Sequence, residues 1–456
     1  MIKNKKHDYI IKDTSSARDV VLFILLNTLE KNEMSHIVLR EALSKADRLQ
    51  DEDRALVTRI VNGTLDRLIT IDSILAKYLK KPLKMLKPQI RELLRMSVYQ
   101  ILYMDRIPDR AVCNEAVNLA KLHGLSGLSG FVNGVLRNIC RDKEDDFEKL
   151  MTFSEEWIRF SVPKWLYKRF EHEFGEEKTR EICQAFLNER KLTVRFNTSI
   201  KSESDILDKL KEDGVSFARL DMGAMLRRYG IEIEDRCLPV VYELENVYGI
   251  NNLKAFKEGL IQPQDPAAAV PCVLARAEGD LRVIDVCAAP GGKAIQMADI
   301  LRGMGHVEAR DISNYKVSMI DDNIKRSGLK NIESRKLDAL TEDEESLYRA
   351  DIVIADLPCS GLGIIGRKPD IKQNIEPYSI GELQLLQRDI LSVVSKYVKP
   401  HGKLVYSTCT LTSEEDEQNV AWAEENLGFK TIEMVKIFPG MQNDGFFAAV
   451  LEKTYI

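Results

Sequence analysis

The 456-residue chain is poor in histidine, with 6, and its 8 cysteines (113, 140, 183, 237, 272, 287, 359 and 409) form no C-x-x-C pair and sit beside no histidine cluster. That spacing speaks against a structural zinc site or other bound metal and against a disulfide framework, so reduced thiols in a cytoplasmic protein are the expectation. Long hydrophobic runs are missing as well. The longest near the start, Val20–Leu26, falls far short of the roughly 20 residues of a membrane span. No small-residue cleavage site follows it, so it is expected to be a buried helix and neither an anchor nor an export signal. Internal repeats and low-complexity tracts are absent. Charged residues at 30% and hydrophobic ones at 44% describe a globular chain of two to four domains, on the prior of roughly 100–200 residues each.

The net charge of −5 gives no general attraction for a polyanion. Its distribution matters more. Lys77–Arg95 carries seven Lys or Arg (77, 80, 81, 84, 87, 91 and 95) against one acid, Glu92. Such a run attracts phosphates, and Lys80, Lys81, Lys84 and Lys87 are its candidate contacts to RNA; a merely solvated helix face is the plain alternative.

From Ser15 to about Cys140 the pattern is helical. Ser16 followed by Asp19 predicts a cap, and in the stretch 52–79 Leu56, Ile60, Leu65, Leu68, Ile71 and Ile74 recur mostly at threes and fours. Pro82 and Pro88 end that stretch before the period resumes, which predicts an all-α domain over 1–145. A mixed region from Trp157 to about Tyr248 has one alternating run, "KLTVRFNTSI", between helical ones. It predicts a small α+β connecting module over 146–255. From 256 to 456, short β-rich runs alternate with helical ones, the signature of an α/β fold with a parallel sheet. The last two strands are joined only by "PGMQND", too short for a helical crossover, so the sheet should end in an antiparallel hairpin.

The first strand of that sheet runs into "DVCAAPGGKA". Small residues at Ala288, Ala289, Gly291 and Gly292, between a strand and a helix, let a ligand approach the backbone. A P-loop would need Gly where Cys287 stands and Ser or Thr where Ala294 stands, and G-x-G-x-x-G is absent. The expected ligand is therefore a nucleoside without polyphosphate. Asp311 ends the next strand, where an acid grips a ribose, and Asp338 ends the third, within reach of an adenine edge.

Asp356 ends the fourth strand and leads into "LPCSG", and "GKLVYST" leads into Cys409, so Cys359 and Cys409 should meet at the carboxyl edge of the sheet beside the cofactor. Taken singly, a cysteine is more often a small buried hydrophobe than a reagent. As a pair they suit one reaction. Carbon 5 of a pyrimidine attacks a methyl donor only after a thiolate has added to carbon 6. Asp356, protonated or sharing a proton, could stabilise charge at the N3 edge of the base and select cytosine. A second thiol could assist release, and spacing alone does not say which thiol attacks.

Together "DVCAAPGGK", "DLPCSGLGIIGRKPDIK", "YSTCTLTSEE", "QDPAAA" and "NDGFFAAVL" resemble the bacterial RNA cytosine-5 methyltransferases of the Sun/Fmu (RsmB) type. "AVCNEAVNLAKLHG" and "GFVNGVLRNI" resemble the NusB-like RNA-binding domain carried in front of them. The resemblance implies a Rossmann-like catalytic sheet and S-adenosylmethionine as donor, with Cys409 as nucleophile and Cys359 releasing the product. It implies that Cys287, Ala288, Ala289, Pro290, Gly291, Gly292, Lys293, Asp311, Asp338 and Asp356 line the donor site, Lys293 also touching the catalytic region. The substrate implied is a cytosine in 16S ribosomal RNA, naked or in an assembling small subunit, methylated by a monomer. The same chemistry on transfer RNA and a non-catalytic RNA-binding factor are the alternatives. Leu357, Gly366 and Asp416 depart from the family pattern, and Arg367, Lys368 and Lys372 are left as expected contacts to substrate phosphates.

Overall fold

The computed structural model describes residues 16–46, 48–247 and 249–454. Ser15 and Tyr248, where the sequence puts the start of the helical region and the end of the mixed one, lie outside the described residues. The chain forms two compact units, residues 1–187 with 365–375, and residues 188–364 with 376–456.

The first unit is helical: α1 (Ala17–Lys31), α2 (Ser35–Ser44), α3 (Asp51–Asp66), α4 (Leu68–Tyr78), α5 (Pro88–Tyr103), α6 (Asp109–Leu122) and α7 (Ser129–Leu150). Ser16 caps α1 by accepting from the Asp19 amide at 3.3 Å, as its position predicts. The stretch 52–79 is not one helix, because Arg67 leaves the helical region between α3 and α4. Its stripe survives the break: Ile60, Leu65, Ile71 and Ile74 are fully buried. Gly63 permits close packing of α3 on α5, since a Cβ there would fall 2.0 Å from the Tyr99 ring. Pro88 opens α5, where a missing amide hydrogen costs nothing.

The segment Ile365–Ile375 packs into this unit. Met34, at the start of α2, offers no side-chain cap, and Asp370 Oδ2 instead accepts from the Ser35 amide at 3.1 Å. At the other pole of the fold's dipoles, Lys372 Nζ donates to the carbonyl of Asp66, the last residue of α3, at 2.7 Å. An acid at a helix start and a cation at a helix end are both favoured by the helix dipole. In the mixed region that follows, residues 164–186 form two helices, Lys164–Phe174 and Glu176–Phe186, parted by Gly175 at φ +80°. Glycine enters that left-handed region without strain.

In the second unit, β1 (Leu192–Phe196), β2 (Ser216–Arg219), β3 (Val241–Glu245) and β4 (Ile261–Pro263) form an antiparallel sheet in the order β2-β3-β1-β4. A seven-stranded sheet follows. Its strands are β5 (Arg282–Asp285), β6 (His306–Asp311), β7 (Ile332–Lys336), β8 (Ala350–Asp356), β9 (Val398–Thr408), β10 (Phe429–Ile437) and β11 (Phe446–Lys453), in the order β10-β11-β9-β8-β5-β6-β7. β5 to β9 run parallel, and β10–β11 is the antiparallel hairpin that the short linker requires. The central strands are covered on both faces: Val283 and Ile284 of β5 and Ile352 through Ala355 of β8 are buried. From β5 the chain first builds outward through β6 and β7, then returns to add β8 on β5's other side. The loops after β5 and β8 therefore diverge, opening the crevice in which such sheets bind ligands.

Candidate active site

One wall of the crevice is the loop after β5. The Ala288 amide donates to the Arg310 carbonyl at 2.8 Å and the Ala289 amide to Asp311 Oδ2 at 3.0 Å, which ties the loop to the end of β6. Gly291, at φ +107°, turns the chain into the helix Gly292–Ile300, and a Cβ on Gly292 would meet nothing within 4 Å. This open cradle of backbone at a helix start is what a nucleoside-bearing ligand needs.

Acids stand at four successive strand ends, Asp285, Asp311, Asp338 (two residues past β7) and Asp356. Asp311 is buried, accepting also from the Ile312 amide at 2.8 Å and from Lys316 Nζ at 3.0 Å. Asp338 is half-buried and accepts from the Leu340 amide at 3.0 Å. Asp285 was not anticipated from the sequence. Burial, then the nearby Asp356 carboxylate, push its carboxyl up to about 7, against the pull of Lys293. Cys287 is half-buried among apolar neighbours, and burial raises its thiol well above the ordinary range.

The other wall joins Lys293, Asp356 and the two cysteines. Lys293 Nζ reaches from the first turn of its helix to Asp356 Oδ2 at 2.6 Å and lies 4.8 Å from the centre of the Phe446 ring. Burial disfavours the Lys293 ammonium, but Asp356 outweighs it and leaves the amine above its usual value. Asp356 Oδ1 accepts from Ser407 Oγ, on β9, at 2.8 Å. Both Asp356 oxygens thus accept, one from the Lys293 ammonium and one from the Ser407 hydroxyl. Beyond these two strand ends the thiols meet. Cys359 Sγ and Cys409 Sγ are 3.2 Å apart, and the Cys409 amide donates to Cys359 Sγ at 3.3 Å. The hydrogen bond to Cys409, and then burial, hold Cys359 as the protonated thiol.

The expected phosphate contacts divide. Lys80, Lys81, Lys84 and Lys87 are exposed, and among the described residues none of the four makes an ion pair. Arg91 and Arg95 of the same run are instead spent on Glu30, Glu92 and Asp72. Arg367 and Lys368 are exposed. Lys372 is a correction: its side chain is wholly buried against Asp66, and burial lowers its amine to about 8, so it is no surface phosphate contact.

Glu415 and Asp416, within "TSEED", are not among the residues that the sequence assigns to chemistry. Both are fully buried beside the cysteine loops. The signal for them is a run of four acids, Glu414 to Glu417, a few residues past the thiol-bearing strand end, although acids in a turn before a helix are most often caps.

A family model described as 16S rRNA methyltransferase RsmB/F matches residues 271–452. The NusB family matches residues 15–141, and an RsmF/B-like ferredoxin-like domain matches residues 162–234. A Bacillus subtilis protein named "Probable ribosomal RNA small subunit methyltransferase B" is 34% identical over 91% of this chain and 90% of its own. A Klebsiella pneumoniae protein named ribosomal RNA small subunit methyltransferase B is 29% identical over 97% of this chain and 99% of its own. The crystal structure of the protein PH0851 matches with a TM-score of 0.77 at 25% identity, covering 98% of this chain and 100% of that one. With these likenesses spanning nearly its whole length, the chain belongs to the ribosomal RNA small subunit methyltransferase B family, whose methyl donor is S-adenosylmethionine.

Proposed function

We propose that the protein methylates carbon 5 of a cytosine in 16S ribosomal RNA through a covalent adduct at carbon 6. The observation that carries the reading is the pair of thiols 3.2 Å apart, delivered by two strand ends next to the Lys293–Asp356 pair. Cys287 to Lys293, Asp311, Asp338 and Asp356 are the residues that would hold S-adenosylmethionine, and the open space at Gly292 fits it. When bound, the donor supplies an electrophilic methyl group on a sulfonium.

Cys409 as thiolate adds to carbon 6, and the displaced electron pair makes carbon 5 nucleophilic toward that methyl. Cys359, with its sulfur 3.2 Å from that of Cys409, is placed to assist departure. The charged Lys293, steadied by Asp356, offers a proton toward the N3 edge of the base, where negative charge develops. After methyl transfer the carbon 5 proton leaves to solvent, the ring double bond re-forms, and the carbon–sulfur bond breaks. The departing Cys409 sulfur is stabilised by the Cys359 S–H beside it.

The target base has to be unpaired or flipped out, because carbon 6 is out of reach in a stacked helix. Lys80, Lys81, Lys84 and Lys87, with Arg367 and Lys368, supply the sequence-independent hold on phosphates. The reading is of a monomer acting in the cytoplasm; among the described residues no helix is long and apolar enough to cross a membrane. Incubation of unmodified 16S RNA, alone and as small-subunit particles, with enzyme and donor, followed by bisulfite sequencing, tests it. One cytosine protected from conversion is the expected result. Methylation elsewhere than carbon 5, or on transfer RNA only, would sink the reading.

A further inference from the structure

Each thiol-bearing loop is held by a different member of an adjacent buried acid pair. Glu415 grips the Cys359 loop. Its Oε1 accepts from the Ser360 amide at 2.8 Å and from Gln387 Nε2 at 3.2 Å, and its Oε2 accepts from Ser360 Oγ at 2.5 Å. Gln387 Nε2 also donates to the Pro358 carbonyl at 2.8 Å. Cys359 is thus pinned through both chain neighbours, and Glu415 touches one of them directly while bracing the clamp on the other.

Asp416 grips the Cys409 loop. Its Oδ1 accepts from Thr408 Oγ1, directly before the cysteine, at 2.6 Å. Its Oδ2 lies 3.2 Å from Lys436 Nζ, and the same ammonium donates to the Leu411 carbonyl, two residues after the cysteine, at 2.8 Å. Two links cross between the loops: Ser360 Oγ and Thr410 Oγ1 are 2.7 Å apart, and Thr412 Oγ1 donates to Glu415 Oε2 at 2.8 Å. Both acids are fully buried, with none of their surface left for a substrate. Their effect on chemistry therefore acts through the loops they hold.

We propose that Glu415 and Asp416 are positioning residues that divide the two half-reactions, Glu415 setting Cys359 for adduct release and Asp416 setting Cys409 for adduct formation. The division rests on the covalent reading above. It follows from reach: Glu415 contacts the residue next to Cys359 but is three residues from Cys409 at its nearest, whereas Asp416 contacts the residue next to Cys409 and nothing in the Cys359 loop among the described contacts. A displacement of about 1 Å in a reacting group is enough for a ~10²-fold loss in rate.

The test uses the full-length enzyme with two RNA probes, one carrying cytosine and one carrying 5-fluorocytosine at the target, whose fluorine cannot leave and so traps the adduct. Glu415→Ala is expected to trap the fluorinated RNA at the wild-type rate but to accumulate adduct on ordinary RNA, with release slowed ~10²-fold. Asp416→Ala is expected to trap about as much more slowly and to accumulate nothing. Glu415→Gln keeps an acceptor for the Ser360 amide while the hydroxyls can turn to accept from its amide group, so it should restore release. Ser360→Ala and Thr408→Val, milder changes that fold if the alanine variants do not, should show the release and the formation defect respectively, each smaller. Donor affinity by calorimetry should be unchanged throughout. Equal losses of formation and release in both acid variants, or no loss in either, would overturn the division while leaving the covalent reading intact. Failure of the wild-type enzyme to trap fluorinated RNA would remove both.

Discussion

The cysteine loops and the basic run Lys77–Arg95 are both rich in polar side chains and use them in opposite ways. Around Cys359 and Cys409, Ser360, Thr408, Thr410, Thr412, Glu415 and Asp416 are buried and almost every donor has an acceptor. In the basic run Lys80, Lys81, Lys84 and Lys87 point outward, unpaired with any described acid. On the proposed function, the contrast follows from two different tasks. Bond making demands groups fixed in advance, whereas a phosphate backbone is held by long-range charge that tolerates flexible side chains. Lys372 shows that residue type alone does not assign a lysine to either class, since it shares its charge with Lys80 but lies buried as a helix-end partner.

The largest effect that separates the two regions should come from Cys409→Ala. Methylation is expected to fall by about 10⁴-fold or more, the scale for loss of a covalent nucleophile, with donor binding by calorimetry intact. Cys359→Ala should instead leave a protein–RNA adduct visible on denaturing gels; an adduct from the Cys409 variant and none from this one would reverse the two roles. Neutralising Lys80, Lys81, Lys84 and Lys87 together should leave turnover at saturating RNA unchanged. It should weaken RNA binding and lower the slope of log K against log salt by about 0.7–0.9 for each lysine that meets a phosphate. An unchanged slope would return the run to ordinary solvated surface.

The smallest effect sharpens the comparison at Lys372. Its amine titrates at about 8 when folded, against its usual 10.5 when unfolded. Between those values the unfolded chain binds more protons than the native one, so stability should rise with pH across that window and be flat below it. Across pH 7 to 10, denaturant melts should show wild type gaining on the order of 2 kcal/mol of stability relative to Lys372→Met. RNA affinity and its salt slope should be the same for both proteins, unlike the four-lysine variant.

Much of the catalytic unit was legible because its signals are local. Strand runs such as "DIVIAD" and "GKLVYST", and the small residues from Ala288 to Gly292, name their own conformations, and Asp311 and Asp356 end strands where the alternation says they should, while Asp338 falls two residues beyond the end of β7. The hairpin β10–β11 follows from a linker too short for a crossover. Breaks inside helical stretches were not legible. Arg67 has no property that ends a helix, and Gly175 in a helical pattern carries only a weak warning.

From its order of residues alone, the chain determined most strands and helices of the seven-stranded sheet, that two cysteines would stand at strand ends on one edge of it, and that the donor has no polyphosphate; of the smaller sheet only β1 was legible. These depend on periods and turns a few residues long. Only the tertiary structure decided that Asp356 pairs with Lys293, that Lys372 is buried, and that Glu415 and Asp416 each hold a different thiol loop. Those outcomes depend on which side chains from distant segments meet out of water. Burial and pairing set a polar group's role there, and neither is written in its immediate neighbours.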